Sequence, residues 1–276
     1  MAYCRAFKSL ELDCILSEFA YKYKYAVIIL ARGGSKELPR KNLALLAGKP
    51  LLQWAIDDAK MAGLKKIYVS TDDDEIASFA KSCGSKVIRR LPREANDTAT
   101  TEDSIRVTVD RIEGIKGSPD YKWDEIVEEF TIENELLTNE LMTSPYDGYV
   151  FLQCTDLFRT EQIIERCIQH FELDPYVDSV FAVKPVFKNY WRAKEEGAIS
   201  SHKRLASDIP YGPRQTREPL FEEYTGLCLV SKPWVFKQRQ RVGHTVGVEV
   251  VKNKCFDIHN QDDLEEAERW WSKNGN

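Results

Sequence analysis

The chain has 276 residues, of which 43% are apolar and 30% charged. That is the composition of an ordinary globular protein, and it excludes wholesale disorder and collagen-like or mucin-like structure. The 39 basic and 44 acidic residues leave a net charge of −5, without the overall basic field of a nucleic-acid binder. No apolar run approaches the ~18 residues needed to cross a bilayer, so no membrane association is expected.

Seven cysteines are present, at positions 4, 14, 83, 154, 167, 228 and 255, and no two have CxxC spacing. An odd count without that motif supports neither a zinc site nor a redox pair. Free thiols suit a reducing compartment, so a cytoplasmic protein is expected.

The length suits one large α/β domain, or one domain plus a small appendage. Residues 1–24 carry Glu11, Asp13 and Glu18 among apolar residues and do not resemble a secretory or targeting peptide. Leu10, Cys14, Ile15 and Phe19 fall at roughly helical spacing, which fits a short extra helix or a frayed tail. Residues 25–31 form a continuous apolar run, the mark of a buried parallel strand. A helix is predicted over 50–62 with Pro50 in its first turn, a strand over 66–70, and a helix over 73–83 stopped by Gly84. A strand over 85–88 and a helix over 101–112 follow.

Residues 114–147 are polar and acidic and read as a surface insertion with a helix over 123–141. The alternation resumes with a strand over 149–153, a helix over 161–171 and a strand over 179–183. Residues from about 185 to 219 are less regular and suit an arm that contacts a second subunit. Strands over 227–230 and 245–251 precede a closing helix over 261–271, with Asp262 and Asp263 near its positive end. Repeated strand–helix alternation predicts a three-layer α/β/α sandwich.

The segment richest in chemistry is Ala31-Arg32-Gly33-Gly34-Ser35-Lys36-Glu37-Leu38-Pro39-Arg40-Lys41-Asn42. It follows a buried strand, where open α/β sheets bind ligands. Its glycines allow exposed amides, and Arg32, Lys36, Arg40 and Lys41 supply cations, a combination suited to a phosphate chain. The spacing is neither that of a Walker A loop nor that of the dinucleotide fingerprint.

This string, followed by Leu46-Ala47-Gly48-Lys49-Pro50-Leu51-Leu52-Gln53-Trp54-Ala55-Ile56, resembles the signature of the acylneuraminate cytidylyltransferases. These are the CMP-sialic acid synthetases and their relatives. Glu37 stands where the family string has Gly. The resemblance runs from about residue 25 to residue 271, leaving out the N-terminal extension and the insertion. It implies a mostly parallel, Rossmann-like nucleotidyltransferase sheet over 25–273, with a small dimerisation arm. It further implies that Ala31, Arg32, Gly33, Gly34, Ser35 and Asn42 bind a nucleotide. Arg32, Lys36 and Lys41 would stabilise its triphosphate.

Arg90 and the stretch Asp97-Thr98-Ala99-Thr100-Thr101 resemble the family's cytosine pocket, with Ala99 and Thr101 on the base. Read alone, the stretch is a Thr-rich loop capping a helix. Residues 152–160, Leu-Gln-Cys-Thr-Asp-Leu-Phe-Arg-Thr, are similar to the family's LQPTSPLRT and place Gln153 facing the acceptor sugar. Cys154, Asp156 and Leu157 are departures. Pro213-Arg214-Gln215 resembles another substrate segment, where the Arg214 guanidinium suits a carboxylate beside Gln215. Lys188 and Arg192 lie where relatives place a further cation.

Residues 257–264 resemble DIDTxEDL. Asp257 is retained and His259 replaces the second carboxylate, so the resemblance implies Asp257 and His259 as the metal ligands. Alternation places the two on one face. Mg²⁺ prefers oxygen ligands, while imidazole suits Mn²⁺ or a later metal. His259 also reads simply as a residue at a helix start.

The resemblance implies transfer of CMP from CTP to a nonulosonic acid by a Mg²⁺-dependent homodimer. Another sugar nucleotidyltransferase of the same fold, of the CMP-KDO type or with a different nucleotide, and a non-catalytic nucleotide-binding paralogue stay open.

Overall fold

The structure, a computed structural model, describes residues 21–96, 98–114, 144–159, 161–193, 202–205, 213 and 218–275. The helices expected over 123–141 and near the N-terminus lie outside these residues, as do Arg214 and Gln215. The first half of the chain forms β1 (Tyr25–Leu30), β2 (Leu45–Leu46), β3 (Lys49–Pro50), α1 (Leu51–Met61), β4 (Ile67–Thr71), α2 (Asp74–Ser82), β5 (Lys86–Arg89) and α3 (Thr101–Ile112). The second half forms β6 (Gly148–Gln153), β7 (Asp156–Leu157), α4 (Glu161–Leu173), β8 (Ser179–Val186), β9 (Trp191–Ala193) and β10 (His202–Arg204). It ends with β11 (Leu220–Glu223), β12 (Leu229–Ser231), α5 (Pro233–Lys237), β13 (Val246–Val250), β14 (Phe256–Asp257) and α6 (Gln261–Asn274).

β1 lies between β4 and β6, parallel to both, and β5 extends the sheet beyond β4. β12 runs antiparallel between β6 and β8. β11 pairs with the far end of β8, and β13 lies parallel to β8. Ala182 in β8 donates its N–H to the Cys228 carbonyl and accepts from the Tyr224 N–H. β11 and β12 therefore share one edge of β8, and residues 225–227 bulge between them. Extra residues of this kind commonly re-aim a strand next to a functional site.

Alternation along β1 explains the layers. Val27 and Ile29 face one buried cluster with α1, α2, α4 and α6, while Ala26 and Ile28 face a second with α3 and α5. This is the expected three-layer sandwich. In α1, Leu51, Leu52, Ala55, Ile56 and Ala59 are fully buried, a stripe at helical spacing. Asp73 is the N-cap of α2, accepting from the Ile76 N–H at 2.9 Å, rather than its first turn. Gly84 ends that helix at φ +79, where a side chain would be strained.

Phe158, at φ +59, stacks on Trp271 and meets Trp54 and Phe256 edge-on. That aromatic cluster fixes α6 against α1. On the opposite face the two ends of the insertion meet. Ser144 and Tyr149 donate to the Glu113 carboxylate at 2.5 and 2.9 Å, and Lys237 pairs with it at 2.6 Å, buried. Among the described residues no helix is long and apolar enough to cross a membrane.

Candidate active site

A cavity of about 340 Å³ opens at the carboxyl ends of β1 and β6. Leu30, Phe151, Gln153 and Cys154 form its floor. Arg32, Ser35, Lys41 and Asn42 come from the glycine loop, and Arg90, Ala99 and Thr101 from the segment leading into α3. Residues separated by more than a hundred positions in sequence thus meet around one space.

The loop is held mostly by its own backbone and by carboxylates behind it. Asn42 donates its side-chain amide to the Arg32 carbonyl at 2.9 Å, and the Gly33 N–H donates to Asp72 at 3.0 Å. A Cβ on Gly33 would lie 2.7 Å from Asp73 Oδ2, so glycine is required there by packing within the protein; at Gly34 nothing lies within 4 Å. The loop cations separate into two groups. Arg32 and Lys41 line the cavity. Arg40 turns away and pairs with Asp73 at 2.6 Å and with Glu75. Neither Lys36 nor the backbone of Ala31, Gly33 and Gly34 is part of the cavity wall.

On the opposite wall, Arg90 is buried and donates to Ser104 Oγ at 3.0 Å and to the carbonyls of Ser70 and Glu94, both at 3.4 Å. Its Nε is buried without a hydrogen-bond partner among the described residues. Asn96 Oδ1 accepts from the amides of Thr98 and Ala99, and Thr100 caps α3 through the Asp103 N–H at 3.0 Å. The capping and the pocket wall are therefore one structure. Burial pushes the Cys154 thiol up to about 12, which keeps it neutral beside the floor.

The Gln153 side of the cavity is organised by Arg159, a residue to which the sequence alone assigns no role. Its fully buried guanidinium donates to the carbonyls of Gln153 at 2.5 Å, Leu227 at 2.9 Å and Gly226 at 3.2 Å, and to Asp58 at 3.1 Å. A planar fork meets four acceptors and ties the end of β6 to the 225–227 bulge. Gln153 lines the cavity. Lys188 and Arg192 do not line it; Arg192 sits opposite Lys203 in the β9–β10 ladder.

Asp257 and His259 stand together beside this region, His259 Nε2 lying 2.9 Å from Asp257 Oδ2. The His259 and Asn260 amides donate to Asp263, and Asn260 Oδ1 accepts from the Asp263 N–H, a reciprocal cap on α6. His259 is thus both a helix-start residue and the partner of Asp257. Asp156 faces Asp257 across the β7–β14 ladder. Burial and the Asp257 charge push the Asp156 carboxyl up to about 7, against the pull of Arg159 and Lys41.

Among the described residues no group of three or more His, Cys, Asp or Glu side chains converges on a metal position. Mg²⁺ needs less than that, because it keeps several waters and takes one or two carboxylates plus substrate phosphates. The oxygen donors present fit such an ion.

Residues 26–117 match the family model for cytidylyltransferases. N-acylneuraminate cytidylyltransferase B of Danio rerio is 44% identical over 81 residues, 29% of this chain and 19% of that protein. The 8-amino-3,8-dideoxy-manno-octulosonate cytidylyltransferase of Shewanella frigidimarina (strain NCIMB 400) is 42% identical over 83 residues, 30% of this chain and 34% of that protein. The matches therefore span a fifth to a third of these relatives' length. A solved CMP:2-keto-3-deoxy-manno-octonic acid synthetase complexed with CTP shares the fold, with a TM-score of 0.60 and 16% identity over 91% of this chain and 99% of that one.

Proposed function

We propose that this chain, whose residues 26–117 match the cytidylyltransferase family model, transfers CMP from CTP to the anomeric hydroxyl of a nonulosonic, sialic-acid-like sugar acid and releases pyrophosphate. The observation that carries this reading is the meeting of Arg32, Lys41 and Asn42 with Arg90, Ala99, Thr101 and Gln153 around one cavity.

In nucleotidyl transfer the protein mainly positions the reactants and neutralises charge. Arg32 and Lys41 face the cavity, where they neutralise the triphosphate and the departing pyrophosphate. Lys36 adds charge from outside the wall. Ser35 and Asn42 orient the nucleotide. Arg90 is locked by Ser104, and with Ala99 and Thr101 it frames the base. Gln153, fixed through its carbonyl by Arg159, orients the acceptor, and Arg214 and Gln215 bind its carboxylate end. Asp257 would hold Mg²⁺ or Mn²⁺, with His259 on its Oδ2. When bound, the ion supplies charge neutralisation at phosphate oxygens.

The segment from about 185 to 219 completes the reading as a homodimer arm. Its Tyr190, Trp191 and Leu205, with neighbouring Phe221, are exposed, an apolar surface suited to a second copy.

The test is pyrophosphate release from CTP across a panel of eight- and nine-carbon sugar acids, with UTP, ATP and GTP as controls. Release with CTP and a nine-carbon acid is expected. Release only with an eight-carbon acid moves the acceptor to the octulosonate class. CTP binding without release from any pair indicates a non-catalytic paralogue.

A further inference from the structure

We propose that Arg241 is a positioning residue for the transfer: it clamps the base side of the cavity, at the start of α3, to the Gln153 side, at the 225–227 bulge. The inference rests on the nucleotidyl-transfer reading for its purpose and deepens it. Arg241 is not part of the cavity wall, so it acts through the residues it holds.

The Arg241 guanidinium engages both sides at once. Its Nε donates to Glu102 Oε1 at 2.9 Å, and one terminal nitrogen lies 2.7 Å from the same oxygen. The other terminal nitrogen donates to Thr225 Oγ1 at 3.4 Å. The planar fork fixes these directions together, which a flexible ammonium does not. Glu102 lies in the first turn of α3 and follows Thr101, a wall residue on the base side. Thr225 precedes Gly226, whose carbonyl accepts from the Gln153 N–H at 2.8 Å and from Arg159 at 3.2 Å. A Cβ on Gly226 would lie 2.7 Å from Gln153 Oε1, so the Gln153 side chain rests on that glycine. Glu102, Arg241, Thr225, Gly226 and Gln153 thus form one continuous link between opposite walls.

The backbone that carries Arg241 is anchored in the core. Ser231 Oγ donates to the Arg241 carbonyl at 3.3 Å, and the Gly243 N–H donates to Ser179 Oγ at 2.9 Å. The two serine hydroxyls are buried and lie 2.8 Å apart, so β8 and β12 hold this segment. Arg239 adds an ion pair with Asp103 at 3.5 Å, and the same segment therefore grips the first turn of α3 twice. At the other end Thr225 is buried, and its hydroxyl donates to Glu223 at 3.1 Å while accepting from Arg241.

Transfer between two bound reactants depends on their spacing, and a displacement of about 1 Å can cost on the order of 100-fold in rate. The clamp sets that spacing. Its removal leaves Lys41, Asn42 and Arg90 in the wall, so the loss falls on use of the acceptor and not on CTP binding.

The test uses the full chain, first without ligand and then with substrates. In ligand-free hydrogen exchange read by mass spectrometry, Arg241→Ala should speed exchange in peptides covering 98–104 and 224–228 and leave β1 and β4 at wild-type protection. Unchanged exchange at either end would overturn the clamp. With substrates, Arg241→Ala should keep the CTP dissociation constant near wild type by calorimetry and lower kcat/KM for the sugar acid by about 10–100-fold. Thr225→Val, which loses the hydroxyl, should show the same split, and Thr225→Ser should recover most of the activity. Arg241→Lys keeps the charge without the fork and should recover only part; it replaces Arg241→Ala if circular dichroism shows that variant unfolded. A folded Arg241 variant with wild-type kcat/KM for the acid, or one whose loss is confined to CTP binding, would overturn the positioning role alone. Wild type without turnover on any acid would overturn the transfer reading and the positioning role with it, while the ligand-free exchange still decides the clamp.

Discussion

Gly226 packs so tightly against Asp156 that a single added Cβ would overlap the carboxylate oxygen. The contact joins the bulge between β11 and β12 to β7, and it makes position 226 a sensitive probe of the site. Gly226→Ala is expected to lower the unfolding free energy by ~1–3 kcal/mol through overpacking. Gly34→Ala meets nothing within 4 Å and should stay within about 0.5 kcal/mol of wild type. Urea unfolding of both variants checks this, and equal stability would contradict the packing described.

The Asp58–Arg159 pair gives a pH signature. Burial pushes the Asp58 carboxyl up to about 6, against the pull of Arg159. A carboxyl raised in the folded state binds protons there that the unfolded chain has already released. Its contribution to stability is therefore full at low pH and is lost as pH rises from about 4 to about 6, a change of order 3 kcal/mol. Asp58→Asn has no such proton. The wild-type unfolding free energy minus that of Asp58→Asn should decline between pH 4 and 7, and a rising difference would contradict the direction.

The loop cations separate by position, into the cavity wall or away from it, and two variants tell them apart. Lys41 lines the cavity, so Lys41→Ala should weaken CTP binding by about 10–100-fold, the value of a charge-assisted contact. Arg40 is engaged by Asp73 and Glu75. Arg40→Ala should leave CTP affinity unchanged and cost at most ~1 kcal/mol of stability. Titration calorimetry distinguishes the two, and equal losses would show that the loop rearranges.

Residues 114–147 are proposed as an insertion rather than a domain. Its two ends meet at Glu113, which accepts from both Ser144 and Tyr149. Replacing residues 115–143 with a short glycine–serine linker is expected to keep the circular dichroism of the central sheet and the affinity for CTP. Loss of folding in that variant would show that the segment contributes to the core.

The sandwich was legible because its signals are local. Val27 to Ile29 are buried on both faces of the sheet and read as a continuous apolar run, and α1 shows its stripe directly. The cavity was legible through the long loop signature and the stretch near Thr101. The β7–β14 ladder was not, because two-residue strands about a hundred positions apart carry no periodicity. Asp156 consequently looked like a substitution and not the partner of Asp257. Arg159 was hidden for a similar reason: three of its four acceptors are backbone carbonyls, which any residue type supplies. Five-residue α5 is too short to show a helical period.

The central claim is that the cavity between the glycine loop and Gln153 joins CMP to a sugar acid. Phosphorus NMR of the full chain with CTP, N-acetylneuraminic acid and Mg²⁺ tests it most directly. The account predicts a new phosphodiester signal and pyrophosphate in equal amounts, both formed far more slowly by Lys41→Ala at subsaturating CTP. Unchanged CTP over the same period, or the same products formed as fast by Lys41→Ala, would contradict it.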